Sequence, residues 1–278
     1  MPELPEVETI RRQLQRVLPG RRLGSVLRVD PAVLDGVARE DLAGRLPGRS
    51  IEDLDRRGKY IVGRLSGELY LTIHLGMTGS LRVLTGAGPV GHERLAVRLD
   101  LERGAAGDSV ERLAFIDARK FGRVRLTAGA PWSGLVRLGP DAWRGDWTAD
   151  WLEERLRSRK AGIKSMLLEQ KVMAGIGNIY ADEILFAAGI DPRRSAGSLR
   201  SMEVKKLAES IRTRLDDGVR LRGCSISDYV DARGRSGSFQ DELRAYGRHG
   251  QSCVDCGATL RRVVIAGRGT AYCPKCQR

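Results

Sequence analysis

Two stretches of this sequence carry residue types whose spacing could do chemistry: an amine that could act as a nucleophile, and four thiols spaced to grip a metal. The chain opens MPELPEVETI. Proline at position 2 is small enough for the initiator methionine to be removed ahead of it, which would leave a free secondary amine. An α-amino group titrates near ~8, against ~10.4 for lysine, so roughly a tenth of it is unprotonated at pH 7. Such an amine can attack an electrophilic sugar carbon and form an iminium, the covalent logic of Schiff-base catalysis. Glu3 is adjacent to Pro2 and could protonate a sugar ring oxygen, while Glu6 could place or deprotonate a reacting group. An ordinary helix start reads the same stretch differently: Pro5 in the first turn, followed by Glu6 and Glu8, complements the helix dipole. That account covers Pro5, Glu6 and Glu8. It does not cover Pro2 and Glu3.

At the other end, Cys253-x2-Cys256 is followed after sixteen residues by Cys273-x2-Cys276. This spacing suits a tetrahedral four-cysteine zinc site, two short knuckles bringing four thiolates around one ion while the intervening chain returns as a hairpin. Two disulfides are the alternative, but four of the five cysteines crowd into the last 26 residues, which favours a metal in a reducing compartment. Four cysteines leave no open position, so no catalytic metal is implied. From 244 to 278 seven arginines and lysines face one acid, Asp255. The hairpin tip reads AGRG, and Arg268 between glycines could reach a phosphate or be an ordinary solvated turn residue.

The residue balance points the same way. With 48 Lys+Arg against 35 Asp+Glu the formal charge is +13 and the pI about 10, which favours a polyanion: nucleic acid first, anionic membrane second. Hydrophobic residues make up 41% of the 278, enough to bury cores, so disorder of the whole chain is excluded. No apolar run approaches the ~20 residues that span a bilayer, and the N-terminus lacks a basic segment followed by an apolar one. The expectation is a soluble cytoplasmic protein.

These residues need elements to hold them. From 21 to about 127 the pattern is mostly period two: RLAVRLDL (94–101) sets Leu95, Val97, Leu99 and Leu101 to one side, and ELYLTIHL and GRVRL behave alike. That predicts an antiparallel sandwich or barrel, preceded by one amphipathic helix at about 5–18. A Gly-, Pro- and Trp-rich stretch (129–147) without clear period reads as a linker. Beyond it WLEERLRSR, IKSMLLEQ, GNIYADEILFAAG and SMEVKKLAESIRTRLDDG fit a 3.6-residue repeat, the last two each closing on a glycine suited to a C-terminal cap. In AGIGNIYADE, Gly175 and Gly177 precede Asn178, which is suited to cap the next helix. Such a start could bind phosphate, or be a plain cap after a flexible turn. The order along the chain is a β-rich region, a linker, a helical region and a zinc-bearing tail.

Several blocks together carry a resemblance. PELPEVE (2–8), RRGKY (56–60), IHLGMTGSLR (73–82), DARKFG (117–122), GIGNIYADE (175–183) and the four-cysteine tail closely resemble bacterial formamidopyrimidine-DNA glycosylases, in family order and over nearly the whole chain. The resemblance implies a bifunctional base-excision-repair enzyme acting on 8-oxoguanine and ring-opened formamidopyrimidines in double-stranded DNA. It implies an α+β fold, with residues 1–132 a catalytic β-sandwich with flanking helices, 133–150 a linker, 151–240 a helix–two-turns–helix domain and 241–278 a zinc-finger hairpin. It also implies one structural Zn2+, a monomer, and a place on the bacterial nucleoid in the cytoplasm. Pro2 matches the nucleophile, Glu3 the acid that opens the deoxyribose ring, Glu6 its support, and Lys59 the lysine that contacts the flanking phosphate and assists with the lesion. Met77, Arg119 and Phe121 match the residues that fill the hole left by the extruded nucleotide, roles their types suit, since an apolar wedge replaces stacking and an arginine can pair with the widowed cytosine. Without the family, Met77 and Phe121 read as ordinary core. His74, Lys164, Asn178, Tyr246 and Arg268 match DNA-backbone or site-lining positions.

One stretch departs from the family pattern. Where a loop like Gly-Gly-Thr-Thr is expected before DYVDA, this chain has RGCSISDYVDA (222–232), so Cys224 and Ser225 alter the loop that covers the extruded base. Two rival functions remain to be separated. An endonuclease VIII-type enzyme shares the terminal proline but prefers oxidised pyrimidines; PELPEVE and the Met77/Arg119/Phe121 set argue against it. A non-catalytic nucleic-acid-binding protein would use the basic surface and hairpin and need neither Pro2 nor Glu3.

Overall fold

The computed structural model describes residues 1–86, 88, 90–100, 110–226 and 228–278. Leu101 of the alternating run and Ser227 of the 222–232 loop lie outside the described residues. The chain divides into two units, one of residues 1–136 with 221–238, the other of 137–220 with 239–278.

The first unit begins with α1 (Leu4–Gln15), followed by β1 (Leu23–Val29), α2 (Arg39–Arg45), β2 (Ile51–Arg57), β3 (Tyr60–Leu65), β4 (Leu69–His74), β5 (Ser80–Thr85), β6 (Glu93–Leu99), β7 (Glu111–Ile116) and β8 (Arg123–Ala128). The strands form two four-stranded antiparallel sheets, ordered β1-β6-β7-β5 and β2-β3-β4-β8. The period-two alternation works as expected: Leu95, Val97 and Leu99 on β6 join Leu71 and Ile73 on β4 and Phe115 on β7 in one core. Val7, Ile10 and Leu14 of α1 are buried in the same cluster. The helix ends at Gln15 rather than near 18, because Leu18 precedes Pro19, and a residue before proline is pushed out of helical backbone.

The segment 221–238 belongs to this unit although the sequence pattern assigns 151–240 to the helical domain. Its anchors are specific. The Gln13 amide donates to Asp231 at 2.8 Å and accepts the Ala232 N–H at 2.9 Å, while Tyr229 and Ala232 enter the sandwich core.

The second unit contains α3 (Ala149–Leu156), α4 (Ile163–Leu168), α5 (Asn178–Ala188), α6 (Ser201–Arg220) and the hairpin β9 (Arg261–Ile265) and β10 (Arg268–Tyr272). Thr148 caps α3 by accepting the Trp151 N–H at 3.1 Å. Much of the expected linker is fixed here: the Gly139 N–H reaches Gln170 O, the Ala142 N–H reaches Ala174 O, both at 2.9 Å, and the Trp147 indole is buried. Gly189 ends α5 in left-handed backbone, as its position predicts. Gly218 does not end α6. The helix runs through it to Arg220, because a Cβ there would lie 2.5 Å from the Tyr180 ring, so the glycine makes room for an aromatic. Among the described residues no helix is long and apolar enough to cross a membrane.

Candidate functional site

Glu3 caps α1 and, with Glu6, closes a reciprocal capping box: each side chain accepts the other's backbone N–H, Glu6 Oε2 at 2.8 Å from the Glu3 nitrogen. The helix start is the device that fixes both carboxylates beside Pro2. Pro2, Glu3 and Glu6 are all buried. The other oxygen of Glu6 accepts the Cys224 N–H at 2.7 Å, which ties the 222–232 loop to the helix start. Close approach there requires glycine: Gly223 has φ +82, and a Cβ on it would lie 2.7 Å from Glu6 Cγ and Oε1. Tyr229 donates to Arg222 O at 3.1 Å, and its hydroxyl is held protonated first by burial and then by the Glu6 charge.

Lys59 sits in the two-residue turn between β2 and β3 and is 6% exposed. The preceding Gly58 has φ +56, as a type II′ hairpin turn asks of its first central residue. Register places Tyr60 beside His74 and His74 beside Arg123 at this end of the sheet. His74 Nδ1 accepts the Gly76 N–H at 3.1 Å, and its pKa is pushed down to about 4 by burial and then by the charges of Lys59, Arg125 and Arg123. It is therefore a neutral imidazole at pH 7, its Nδ1 committed as acceptor.

Met77 and Phe121 are 39% and 48% exposed, so neither is core. The Arg119 guanidinium lies over the Phe121 ring at 4.8 Å. What holds this loop is Asp117, fully buried: its carboxylate accepts from Thr78 Oγ1, the Arg119 N–H and the Gly122 N–H. Thr78 joins the Met77 loop to the Arg119 loop through the same acid. Sequence reasoning passed over Asp117. The cue was Asp-Ala-Arg, an Asx turn in which a side chain bonds backbone two residues on.

In the second unit, Asn178 is the first residue of α5 and Gly177 its cap. The Asn178 amide instead donates to Gly269 O of the hairpin at 3.1 Å. Lys164 does not present its ammonium to solvent. It is fully buried, 2.5 Å from Asp182 Oδ1 and 2.6 Å from Thr270 Oγ1. Asp182 also accepts the Ala271 N–H, and neighbouring Glu183 accepts the N–H groups of Arg244, Ala245 and Tyr246. Two successive acids of α5 thus fasten the chain entering the zinc module and the hairpin strand leaving it. They were legible only as charges in an otherwise apolar helix. Tyr246 is half-buried and Arg268 exposed, next to a turn in which Ala266 and Gly267 both have positive φ.

The cysteine sulfurs lie 3.9 Å apart for Cys253 and Cys276 and 3.5 Å for Cys256 and Cys273, all four within 4.8 Å of one another. A tetrahedron with Zn–S bonds of ~2.3 Å has edges of about 3.8 Å. A disulfide needs about 2.05 Å. The residues present fit one structural zinc ion, and Phe186 of α5 packs into the module's small core.

Comparison with known proteins gives a consistent match along the chain. Family models match the formamidopyrimidine-DNA glycosylase N-terminal domain over residues 1–124, the formamidopyrimidine-DNA glycosylase H2TH domain over 138–230, and the zinc finger found in FPG and IleRS over 250–278. The chain is 46% identical over 267 residues to the formamidopyrimidine-DNA glycosylase of Moorella thermoacetica, covering 95% of this chain and 94% of that one. It is 42% identical over 278 residues to that of Carboxydothermus hydrogenoformans, covering all of both. A Lactococcus lactis Fpg in complex with an abasic-site-containing DNA superposes with TM-score 0.87 at 34% identity, covering 99% of each chain.

Proposed function

The chain belongs to the formamidopyrimidine-DNA glycosylase family, and we propose that it works through Pro2 as nucleophile once Met1 is removed. The activity is that of a bifunctional DNA glycosylase and AP lyase of base excision repair, which removes oxidised purines such as 8-oxoguanine and formamidopyrimidines. The Pro2 nitrogen attacks C1′ of the damaged nucleotide, the glycosidic bond breaks, and Glu3 protonates the ring oxygen so that the sugar opens to an iminium. Loss of sugar protons from the iminium then expels the 3′ and 5′ phosphates by β- and δ-elimination, leaving a gap with a phosphate on each side.

The other roles follow residue by residue. Glu6 holds the Glu3 backbone and the loop at 223–224, Lys59 contacts the flanking phosphate and assists at the lesion, and neutral His74 donates to the DNA backbone. Met77 and Phe121 supply the wedge that fills the vacated stack, and Arg119 pairs with the widowed cytosine. Asn178, Tyr246 and Arg268 bind phosphates, and Lys164 serves the same surface by holding the hairpin. The enzyme acts as a monomer on the chromosome in the bacterial cytoplasm. The observation that carries the reading is the capping box, which locks Glu3 and Glu6 immediately beside Pro2.

The test is borohydride trapping on a duplex with 8-oxoguanine opposite cytosine. We expect a covalent adduct attached at Pro2. Protein that retains Met1, and so carries an amide at Pro2, should give none. Correctly processed protein that gives neither adduct nor strand cleavage overturns the proposal.

A further inference from the structure

Glu8 has no part in the chemistry above, yet its carboxylate is heavily engaged. It is fully buried, and three guanidiniums converge on it: Arg11 by two bonds at 2.9 and 3.1 Å, Arg12 at 2.7 Å, and Arg56 at 3.0 Å. Burial pushes its pKa up, but the Arg11 hydrogen bond and the Arg56 and Arg11 charges outweigh that and hold it at about 2. The carboxylate is ionised at every working pH.

A buried ion cluster is a poor way to gain stability, because desolvating the charges offsets their attraction and well-packed apolar residues often do as well. What such a cluster does supply is fixed geometry. Here the geometry joins two functional elements. Glu8 lies on α1, five residues beyond Glu3, or about 7.5 Å along the same rigid helix. Arg56, itself buried, also donates to Gly58 O at 2.9 Å. The carbonyl carbon of Gly58 is bonded directly to the Lys59 nitrogen, so this hook fixes the peptide plane from which Lys59 departs. Other polar links set the same register between α1 and β2: Arg11 donates to Leu54 O at 3.3 Å, and the Gln15 amide accepts the Leu54 N–H and donates to Asp53, both at 2.8 Å. The Glu8–Arg56 link continues past β2 into the turn that carries Lys59.

We propose that Glu8, acting through Arg56 and the Gly58 carbonyl, is a positioning residue that sets Lys59 relative to the Pro2–Glu3 helix start. The proposal rests on the roles given above to Pro2 and Lys59. A displacement of about 1 Å at a reacting group can slow a reaction about 100-fold, so a slack link should slow the chemical step far more than it weakens binding, in which Lys59 makes one phosphate contact among several.

The experiment measures single-turnover excision of 8-oxoguanine with borohydride trapping, alongside affinity for a duplex holding an uncleavable tetrahydrofuran site. The proteins are the full-length wild type, Glu8→Gln, Arg56→Met, Lys59→Ala and the Glu8→Gln/Lys59→Ala double variant. Arg56→Met leaves Glu8 its Arg11 and Arg12 partners and so guards against a Glu8 variant that fails to fold. We expect Glu8→Gln and Arg56→Met to slow excision about 10- to 100-fold while affinity for the uncleavable duplex changes less than about threefold. In the Lys59→Ala background Glu8→Gln should add less than about threefold, because the residue it positions is gone. Full multiplication of the two effects shows a merely structural role and overturns the proposal, as does an unchanged rate in Arg56→Met while the wild type traps normally. A wild type that does not trap overturns the nucleophile reading, and this role falls with it.

Discussion

Replacing Lys164 with methionine removes one charge from a place where no solvent compensates. The ammonium is 2.5 Å from Asp182 and 2.6 Å from Thr270, and both ion-pair side chains are 1% exposed or less. Methionine keeps the apolar stem, so packing persists and Asp182 retains the Ala271 N–H at 3.1 Å. Removing one partner of a buried pair costs about 3–5 kcal/mol, which is about a 150- to 5,000-fold change in the unfolding constant. The pH dependence has a definite sign. Burial raises Asp182 to about 6 even against the pull of Lys164, above the ~3.9 of an unfolded aspartate. A raised folded value means that stabilisation is fully present below about 4 and is lost as pH rises through the folded pKa. Without the ammonium that value climbs further, so the deficit of the variant should be smaller at pH 5 than at pH 8. Urea titration followed by tryptophan fluorescence and by zinc release measures it at both pH values. Lys164→Met/Asp182→Asn, which strands no charge, should recover more than half the loss. A deficit under about 1 kcal/mol at pH 8, or one that grows toward pH 5, would refute the reasoning.

Three further outcomes are expected. Gly223→Ala forces a Cβ against Glu6 from a backbone at φ +82; the left-handed strain costs about 1–2 kcal/mol, and trapping should slow at least about tenfold, so an unchanged melting temperature and trapping rate together would contradict it. Chelating the zinc should unfold the hairpin module and weaken DNA binding; unchanged affinity after verified metal loss would count against that role. Arg268→Ala should weaken binding to damaged and undamaged duplex alike and lower the salt slope by about one, so a preserved slope would remove Arg268 from the phosphate contacts.

How much of this was legible beforehand depended on whether a signal was local. The cysteine spacing is local, and the four sulfurs lie where one ion needs them. The sandwich strands and α3–α6 follow from hydrophobic period, which a short window records. Gly218 misled because a glycine after a helical run usually caps it, whereas here its value is to a distant Tyr180 ring. Lys164 and Asn178 matched motif positions, but a match says nothing of where a side chain points, and one lies buried against Asp182 while the other reaches Gly269. The return of 221–238 to the first unit depends on pairs such as Gln13–Asp231, more than two hundred residues apart, and no period or spacing encodes them.

That return has a consequence for biosynthesis. Residues 1–136 emerge from the ribosome well before the segment that finishes their unit, and at ~5–20 residues per second the interval is several seconds. Through that interval Glu6 lacks its Cys224 donor and the core lacks Tyr229 and Ala232. The first unit of the nascent chain therefore reaches its full set of contacts only once residues 221–238 have been made. On the proposal that Pro2 is the nucleophile, the Glu6 network beside it is complete only after the helical region has been made.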